Sequence, residues 1–164
     1  MNVEHILRVM QRHQVAFILI GGMNFLLRHQ PVVTFDVDFW IDDRADNRRR
    51  CENALAELLA EWGESESTWG PVAVRTPGWL DRQGVYCLAT PFGSVDIFRG
   101  VSGLGSWAES KAKSVASSTA GGVEFSGLSD EDMLKCQYAL VEGERKLDRI
   151  RVLENALRRG QDSP

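Results

Sequence analysis

The stretch Thr34-Phe35-Asp36-Val37-Asp38-Phe39-Trp40-Ile41 decides the fold. Read as a strand, its alternation puts Phe35, Val37, Phe39 and Ile41 on one face and turns Asp36 and Asp38 together to the other. Aspartate is depleted in strands, so two of them inside an apolar strand need a reason. Residues two apart on a strand stand about 6.5–7 Å apart at Cα. From there two carboxylates can converge on one hard cation or bridge a pair of cations about 3.5–4 Å apart. Such oxygen ligands suit Mg²⁺.

On the N-terminal side, Val15-Ala16-Phe17-Ile18-Leu19-Ile20 is a continuous apolar run of strand length stopped by Gly21-Gly22, and residues 23–29 have helix-forming composition up to Pro31. A strand, a Gly-Gly turn and a helix in succession offer unobstructed backbone N–H groups and a positive helix end to a phosphate. No Gly-Lys-Ser/Thr and no G-x-G-x-x-G is present, so P-loop and dinucleotide-binding readings lose support. Downstream, Val95-Asp96-Ile97 sets a third acid between two core-type side chains on another short strand. Uncompensated buried charge is expensive, and a bound divalent ion compensates it. Alone, the Asp pair reads as a solvated strand face and the Gly pair as a tight turn; with the third acid they form a metal and phosphate constellation.

The remaining elements build around these. Ile6, Leu7, Val9 and Met10 fit one face of an opening helix ended by the polar run 11–14. Residues 32–41 read as one strand. Residues 44–62 read as a long helix with Leu55, Leu58, Leu59 and Trp62 on one face, closed by Gly63. A strand is expected at 72–75, two more at 85–89 and 95–98, and a hairpin within 114–125 around Gly121-Gly122. Ser129 with Asp132 three residues on has the form of a capping box and starts a helix through about 141. A final helix, 144–159, carries the stripe Leu147, Ile150, Leu153 and Leu157.

The chain of 164 residues is 43% hydrophobic and 26% charged, globular values that exclude a disordered or fibrous protein. Its length predicts a single domain spanning 1–164, with a core of about 15–128 and C-terminal helices of about 129–159. Nineteen Lys and Arg against 23 Asp and Glu give a net charge of −4, which rules out a uniformly basic nucleic-acid coat. Two local basic clusters remain, Arg44 with Arg48-Arg49-Arg50, and Arg145, Lys146, Arg149, Arg151, Arg158 and Arg159. They read as solvated helix faces by default, or as a track for a polyanionic acceptor such as an RNA end if they flank the acids. No apolar run approaches the roughly 20 residues of a membrane span. No signal peptide is read, and Cys51, Cys87 and Cys136 form no C-x-x-C, so a cytoplasmic protein is expected. Cys87 and Cys136 read as inert core thiols. His5, His13 and His29 lack metal-ligand spacing, and Ser94 and Ser102 lie in no nucleophile elbow.

The ordered set Gly21-Gly22, Thr34-x-Asp36-x-Asp38 and Val95-Asp96-Ile97 resembles the nucleotidyltransferase superfamily that includes DNA polymerase beta. Within it the set is most similar to the Gly-Gly branch of AbiEii-type toxin and small antibiotic nucleotidyltransferases. The resemblance covers about residues 15–155. It implies a minimal α/β (α+β) nucleotidyltransferase fold, a short mixed sheet packed against helices with C-terminal helices following. It implies an enzyme that moves a nucleoside monophosphate from a nucleoside triphosphate such as ATP to a hydroxyl. Asp36, Asp38 and Asp96 would ligate two Mg²⁺ ions, Asp96 also aiding deprotonation of the acceptor. Gly21 and Gly22 would hold the triphosphate, Lys135 would meet the phosphates, and Arg145, within Arg145-x-x-Asp148, the nucleotide or acceptor. An Arg often found two residues before the Thr of the Asp-x-Asp strand is replaced here by Val32. Because the chain has little length beyond the core, an RNA 3′ end or a protein ranks ahead of a small molecule as acceptor, with an antitoxin-like partner possible in a toxin setting. The alternative is a catalytically degenerate nucleotide-binding or protein-interaction module of the same fold.

Overall fold

The computed structural model describes residues 1–161. The chain runs α1 (Val3–Arg12), β1 (Phe17–Leu19), α2 (Gly21–Arg28), β2 (Asp36–Ile41), α3 (Ala45–Glu57), the two-residue strands β3 (Glu61–Trp62) and β4 (Gly70–Pro71), then β5 (Val85–Leu88) and β6 (Ser94–Phe98). It continues through α4 (Trp107–Ala112), β7 (Val115–Ser118), β8 (Glu124–Gly127), α5 (Asp130–Ala139) and α6 (Leu147–Gln161). The main sheet has the order β5-β6-β2-β1-β8-β7. It is mixed: β2 runs parallel to β6 and antiparallel to β1, while β1 runs parallel to β8. Residues 115–127 form the expected hairpin. Among the described residues no helix is long and apolar enough to cross a membrane.

Side-chain parity divides the sheet into two working faces. Phe17, Leu19, Val37, Phe39, Ile41, Tyr86, Leu88, Val95 and Ile97 point to one side, where Ile6 and Met10 of α1 and Leu55 of α3 close a core. Ile18 and Trp40 point to the other side and join Phe25 of α2, Met133 of α5 and Leu153 of α6 in a second cluster. Sheet strands covered on both faces must be apolar throughout, which accounts for the uninterrupted run at 15–20. Asp36, Asp38 and Asp96 share the second face with Trp40 and stay half-buried.

Several element boundaries differ from the sequence reading. The strand begins at Asp36, not 32, because residues 32–35 pair with no neighbour; Phe35, expected on the core face, is exposed. Helix α3 ends at Glu57, and Leu59 turns into the left-handed region at φ 53° and lies in solvent. This reversal frees Trp62 to stack on Trp79 as part of β3 instead of lining the helix. The strand expected at 72–75 is a 3-10 turn at Val72–Val74. Helix α4 was not expected from the sequence, although Ser106 and Glu109 cap it reciprocally. At α5 Ser129 accepts from the Asp132 N–H at 3.2 Å, but the Asp132 carboxylate turns to Ser110 Oγ and Lys135 Nζ. The last helix starts at Leu147 after a 3-10 turn, leaving Leu147 exposed while Ile150 and Leu153 are buried.

Glu52 on α3 ties the excursion between β4 and β5 to the core. Nearly buried, it accepts from the Gly78 N–H at 2.9 Å and the Leu80 N–H at 3.1 Å, with Arg49 at 3.2 Å. Those contacts seat Trp79, whose carbonyl accepts the Tyr86 hydroxyl of β5 at 2.7 Å. Removing the acceptor strands two amides, each worth about 1–3 kcal/mol when buried and unpaired. Glu52→Ala is therefore expected to lower stability in urea by about 2–4 kcal/mol, with Glu52→Gln losing roughly half as much. A change below about 0.5 kcal/mol, the range of ordinary surface substitutions, would dismiss this role.

Candidate active site

The parallel pairing of β2 with β6 sets Asp38 directly beside Asp96 and Asp36 beside Ser94. Strand alternation then brings Asp36, Asp38 and Asp96 to one face, each offering a carboxylate oxygen, with those oxygens within 4.8 Å of one another. Two unit charges at that distance repel by about 3–4 kcal/mol at an effective dielectric near 20. Three hard oxygen donors so close, with negative charge that the surrounding residues compensate only in part, fit a divalent cation such as Mg²⁺.

The end of β1 supplies the other half of the arrangement. Ile20 N–H donates to the Asp38 carbonyl at 2.9 Å, and the chain then turns at once into α2 through Gly21, whose φ is +65°. A Cβ on Gly21 would lie 2.0 Å from Asp38 Oδ2, and one on Gly22 would lie 2.7 Å from Thr34 Oγ1. Both glycines are thus required by close approach, the first also by its backbone conformation. The Gly22 N–H hydrogen-bonds the Asp38 carboxylate, and Thr34 Oγ1 donates to Asp36 Oδ1 at 2.9 Å. Asp38 sits against the amino end of α2, where the N-cap residue Ile20 makes no side-chain cap bond and the helix start carries a positive partial charge.

Burial, together with the charges of Asp36 and Asp96, pushes Asp38 up to about 7, against the opposing pull of the Gly22 N–H and the Arg149 guanidinium. Asp96 is raised by burial and by Asp36, although a hydrogen bond from Cys87 works the other way. Cys87 is no core thiol, since it lies exposed on β5 opposite Asp96, but it is an inert one: partial burial first, then the three carboxylates, lift its pKa to about 11 and keep it protonated.

Of the basic residues, Arg149 of α6 comes to the acids: its Nη2 lies 3.2 Å from the position of a Gly22 Cβ, and it faces Asp38 and the Phe25 ring. The sequence reading did not single it out, because only the turn before α6 sets which basic residue of that helix faces inward. Lys135 is engaged elsewhere, bonding Glu131 at 2.7 Å and Asp132 at 3.1 Å. Arg145 donates to the Leu140 and Tyr138 carbonyls and holds the turn between α5 and α6. Arg44, Arg48, Arg49 and Arg50 pair with Asp42, Asp43, Asp81, Glu52 and Asp46, and α3 packs on the sheet face opposite the acids. Val32 packs on the second cluster. Beside the acids an apolar hollow of about 360 Å³ opens between the sheet and helices α5 and α6, reaching from Gly21 and Arg149 to Val85.

No family model matches the sequence, and no curated protein matches it. In three dimensions the chain is similar to the lincosamide antibiotic adenylyltransferase LnuA, solved with lincomycin bound, with a TM-score of 0.61 at 16% identity over 93% of this chain and 94% of that one. The fold is that of the nucleotidyltransferases. A Thermotoga maritima protein provisionally described as a nucleotidyltransferase aligns at a TM-score of 0.49 and 17% identity, over 98% of this chain and 91% of that one.

A carboxyl raised on folding keeps its proton longer in the folded chain than in the unfolded one, so its contribution to stability falls as pH rises from about 4 to about 7 and then levels. In EDTA, Asp38→Asn is accordingly expected to match the parent in thermal stability near pH 4.5 and to exceed it near pH 8. A melting-temperature difference that stays flat across this range would contradict the placement of Asp38.

Proposed function

We propose that the protein is a metal-dependent nucleotidyltransferase, carrying a nucleoside monophosphate from a nucleoside triphosphate to a hydroxyl acceptor. The observation that carries this reading is the meeting of three carboxylates within 4.8 Å beside an uncapped helix start, on a fold shared with an adenylyltransferase. Asp36, Asp38 and Asp96 would hold Mg²⁺. Bound there, the ion would supply charge neutralisation on the phosphates and a lowered pKa for the attacking hydroxyl. The chain's own groups do the rest. The N–H groups at Gly21 and Gly22 take the terminal phosphates at the positive end of α2, and Arg149 adds a planar cation above them. Asp96, whose proton affinity is raised, accepts the acceptor's proton. The acceptor oxygen bonds the α-phosphorus as the bond to the bridging oxygen breaks, and pyrophosphate departs toward the Gly21-Gly22 end.

The Gly-Gly and Thr34-x-Asp36-x-Asp38 pattern supports a place beside the AbiEii-type branch, with an antitoxin-like partner in that setting. The adenylyl chemistry of the structural neighbour makes ATP the first nucleotide to test. Lys135 and Arg145 enter this reading as supports of α5 and of the turn before α6. Lincomycin in the neighbour's site puts a small-molecule acceptor alongside an RNA 3′ end or a protein.

Incubation with each NTP, Mg²⁺ and a mixed acceptor pool is expected to release pyrophosphate. Asp36→Ala and Asp38→Ala should each lower the rate at least 1,000-fold, on the order of losing electrostatic stabilisation of the transferring group. Arg149→Ala should cost about 10- to 100-fold, one to two factors of 1.4 kcal/mol, mostly in the KM for NTP. Nucleotide binding without pyrophosphate release in any combination would instead establish the degenerate binding module.

A further inference from the structure

The acid row and the hollow are adjacent on the sheet. Register places Asp38, Asp96 and Cys87 side by side across β2, β6 and β5. Trp40, Phe98 and Val85 form the next row on the same face, two residues further along each strand, a step of about 6.5–7 Å. Phe98, Val85 and Ile20 floor the hollow, Met133, Leu140 and Leu153 wall it from α5 and α6, and the loop from Gly100 to Ser102 closes its outer side. Its volume, about 360 Å³, lies in the range of sites that enclose a single small molecule. Val85 is exposed although apolar, as expected of a surface that a ligand covers.

We propose that this hollow seats the acceptor, and that the acceptor is a small alcohol with an apolar, ring-sized body. The inference rests on the nucleotidyl-transfer reading. In an in-line displacement the attacking oxygen and the departing pyrophosphate stand on opposite sides of the phosphorus. Gly21, Gly22 and Arg149 fix the phosphate side, so the hydroxyl approaches from the side of Asp96, where the hollow runs out beneath β6 to Val85. An alcohol lying along Phe98 and Leu140 presents its hydroxyl to that row. There its oxygen bonds the α-phosphorus, its proton passes to Asp96, and pyrophosphate leaves. An RNA end fits this surface poorly: the lining is apolar, and the arginines of α3 are ion-paired on the opposite face. Among the described residues the one cation in the lining is Arg149, at the Gly21 end and given to the triphosphate, and a polyanion would need more than that.

Two measurements test this. First, 1-anilinonaphthalene-8-sulfonate should bind one site with enhanced fluorescence. Ser102→Trp and Leu140→Trp, which fill the hollow from its less buried rim, should each weaken binding at least tenfold, while Asp36→Asn leaves it unchanged. Equal binding by the parent and both tryptophan variants, or displacement of the dye by adenosine, would overturn the assignment. Second, with ATP and Mg²⁺, a panel of ring-bearing alcohols should raise pyrophosphate release at least tenfold over a 3′-hydroxyl RNA oligonucleotide, and Ser102→Trp should abolish that gain. Stimulation by the RNA, or by a protein, that persists in Ser102→Trp would overturn it. If no acceptor gives release while the dye still binds and the tryptophan variants still block it, the nucleotidyl-transfer reading falls and the acceptor role with it, the apolar site alone remaining.

Discussion

The carboxylate of Asp38 accepts from the Gly22 N–H at the start of α2 with two other carboxylates beside it, and much of the surrounding structure exists to hold it there. The contact requires Gly21 to be a glycine, since a Cβ would stand 2.0 Å from Asp38 Oδ2. It requires β1 to end at that point, so that α2 starts at the level of Asp38. It also requires β6 to run parallel to β2, because that register sets Asp96 level with Asp38. The pairwise repulsion among the acids, about 3–4 kcal/mol at this range, exceeds what one helix terminus returns, typically about 0.3–1 kcal/mol and up to about 2 in partly buried settings. The cluster is therefore an unfavourable element that the rest of the fold sustains.

What sustains it is the other face of the sheet. Every residue of odd parity on β2 from Val37 to Ile41 is fully buried against α1 and α3, and a one-residue slip of that strand would exchange the core for the acids. Register is thus set where apolar burial is largest and transmitted to the site by the pleat alone. On the acid face α5 and α6 complete the second cluster over β1 and β2, covering Ile18, Ile20 and Trp40 with Phe98 of β6 packed at its edge, and toward β5 they stand off from the sheet across the hollow. The same two helices supply Arg149 at the Gly22 end and the apolar wall at the other. One helix pair therefore faces the site with a cation and a greasy surface, next to each other.

This division explains what could be read from the sequence. Strand parity is a local property, so Asp36, Asp38 and Asp96 were visible as a set, and Gly21-Gly22 was visible as the stop of an apolar run. The capping pair Ser106 and Glu109 was equally present in the sequence and marks α4, which the reading missed. Other features depend on geometry that no local pattern carries. Helix α6 offers Arg145, Lys146, Arg149 and Arg151 at or near its start; its phase is set by the 3-10 turn at Glu142–Glu144 and by Arg145 bonding the Leu140 carbonyl, which turns Arg149 inward. Lys135 was plausible until its i−4 and i−3 neighbours, Glu131 and Asp132, are seen to take its ammonium. Cys87 sits among apolar neighbours in sequence, yet the antiparallel pairing of β5 with β6 lays it against Asp96.

The raised pKa of Asp38 also bears on how these acids would take a cation. A carboxyl raised to about 7 can take up a proton and relieve part of the repulsion the fold would otherwise bear at neutral pH. Under the proposed function proton and cation would compete for this site, so that cation binding near neutrality would release a proton and tighten as pH rises through that value. The two other groups that bear on Asp38, the Gly22 N–H and Arg149, are the same groups that would meet the phosphates. With Asp38 engaged by a cation at the acids, these donors would be less committed to its carboxylate. Metal and triphosphate would in this way be coupled through one side chain, with no movement of the backbone needed, only a change in which charge Asp38 answers.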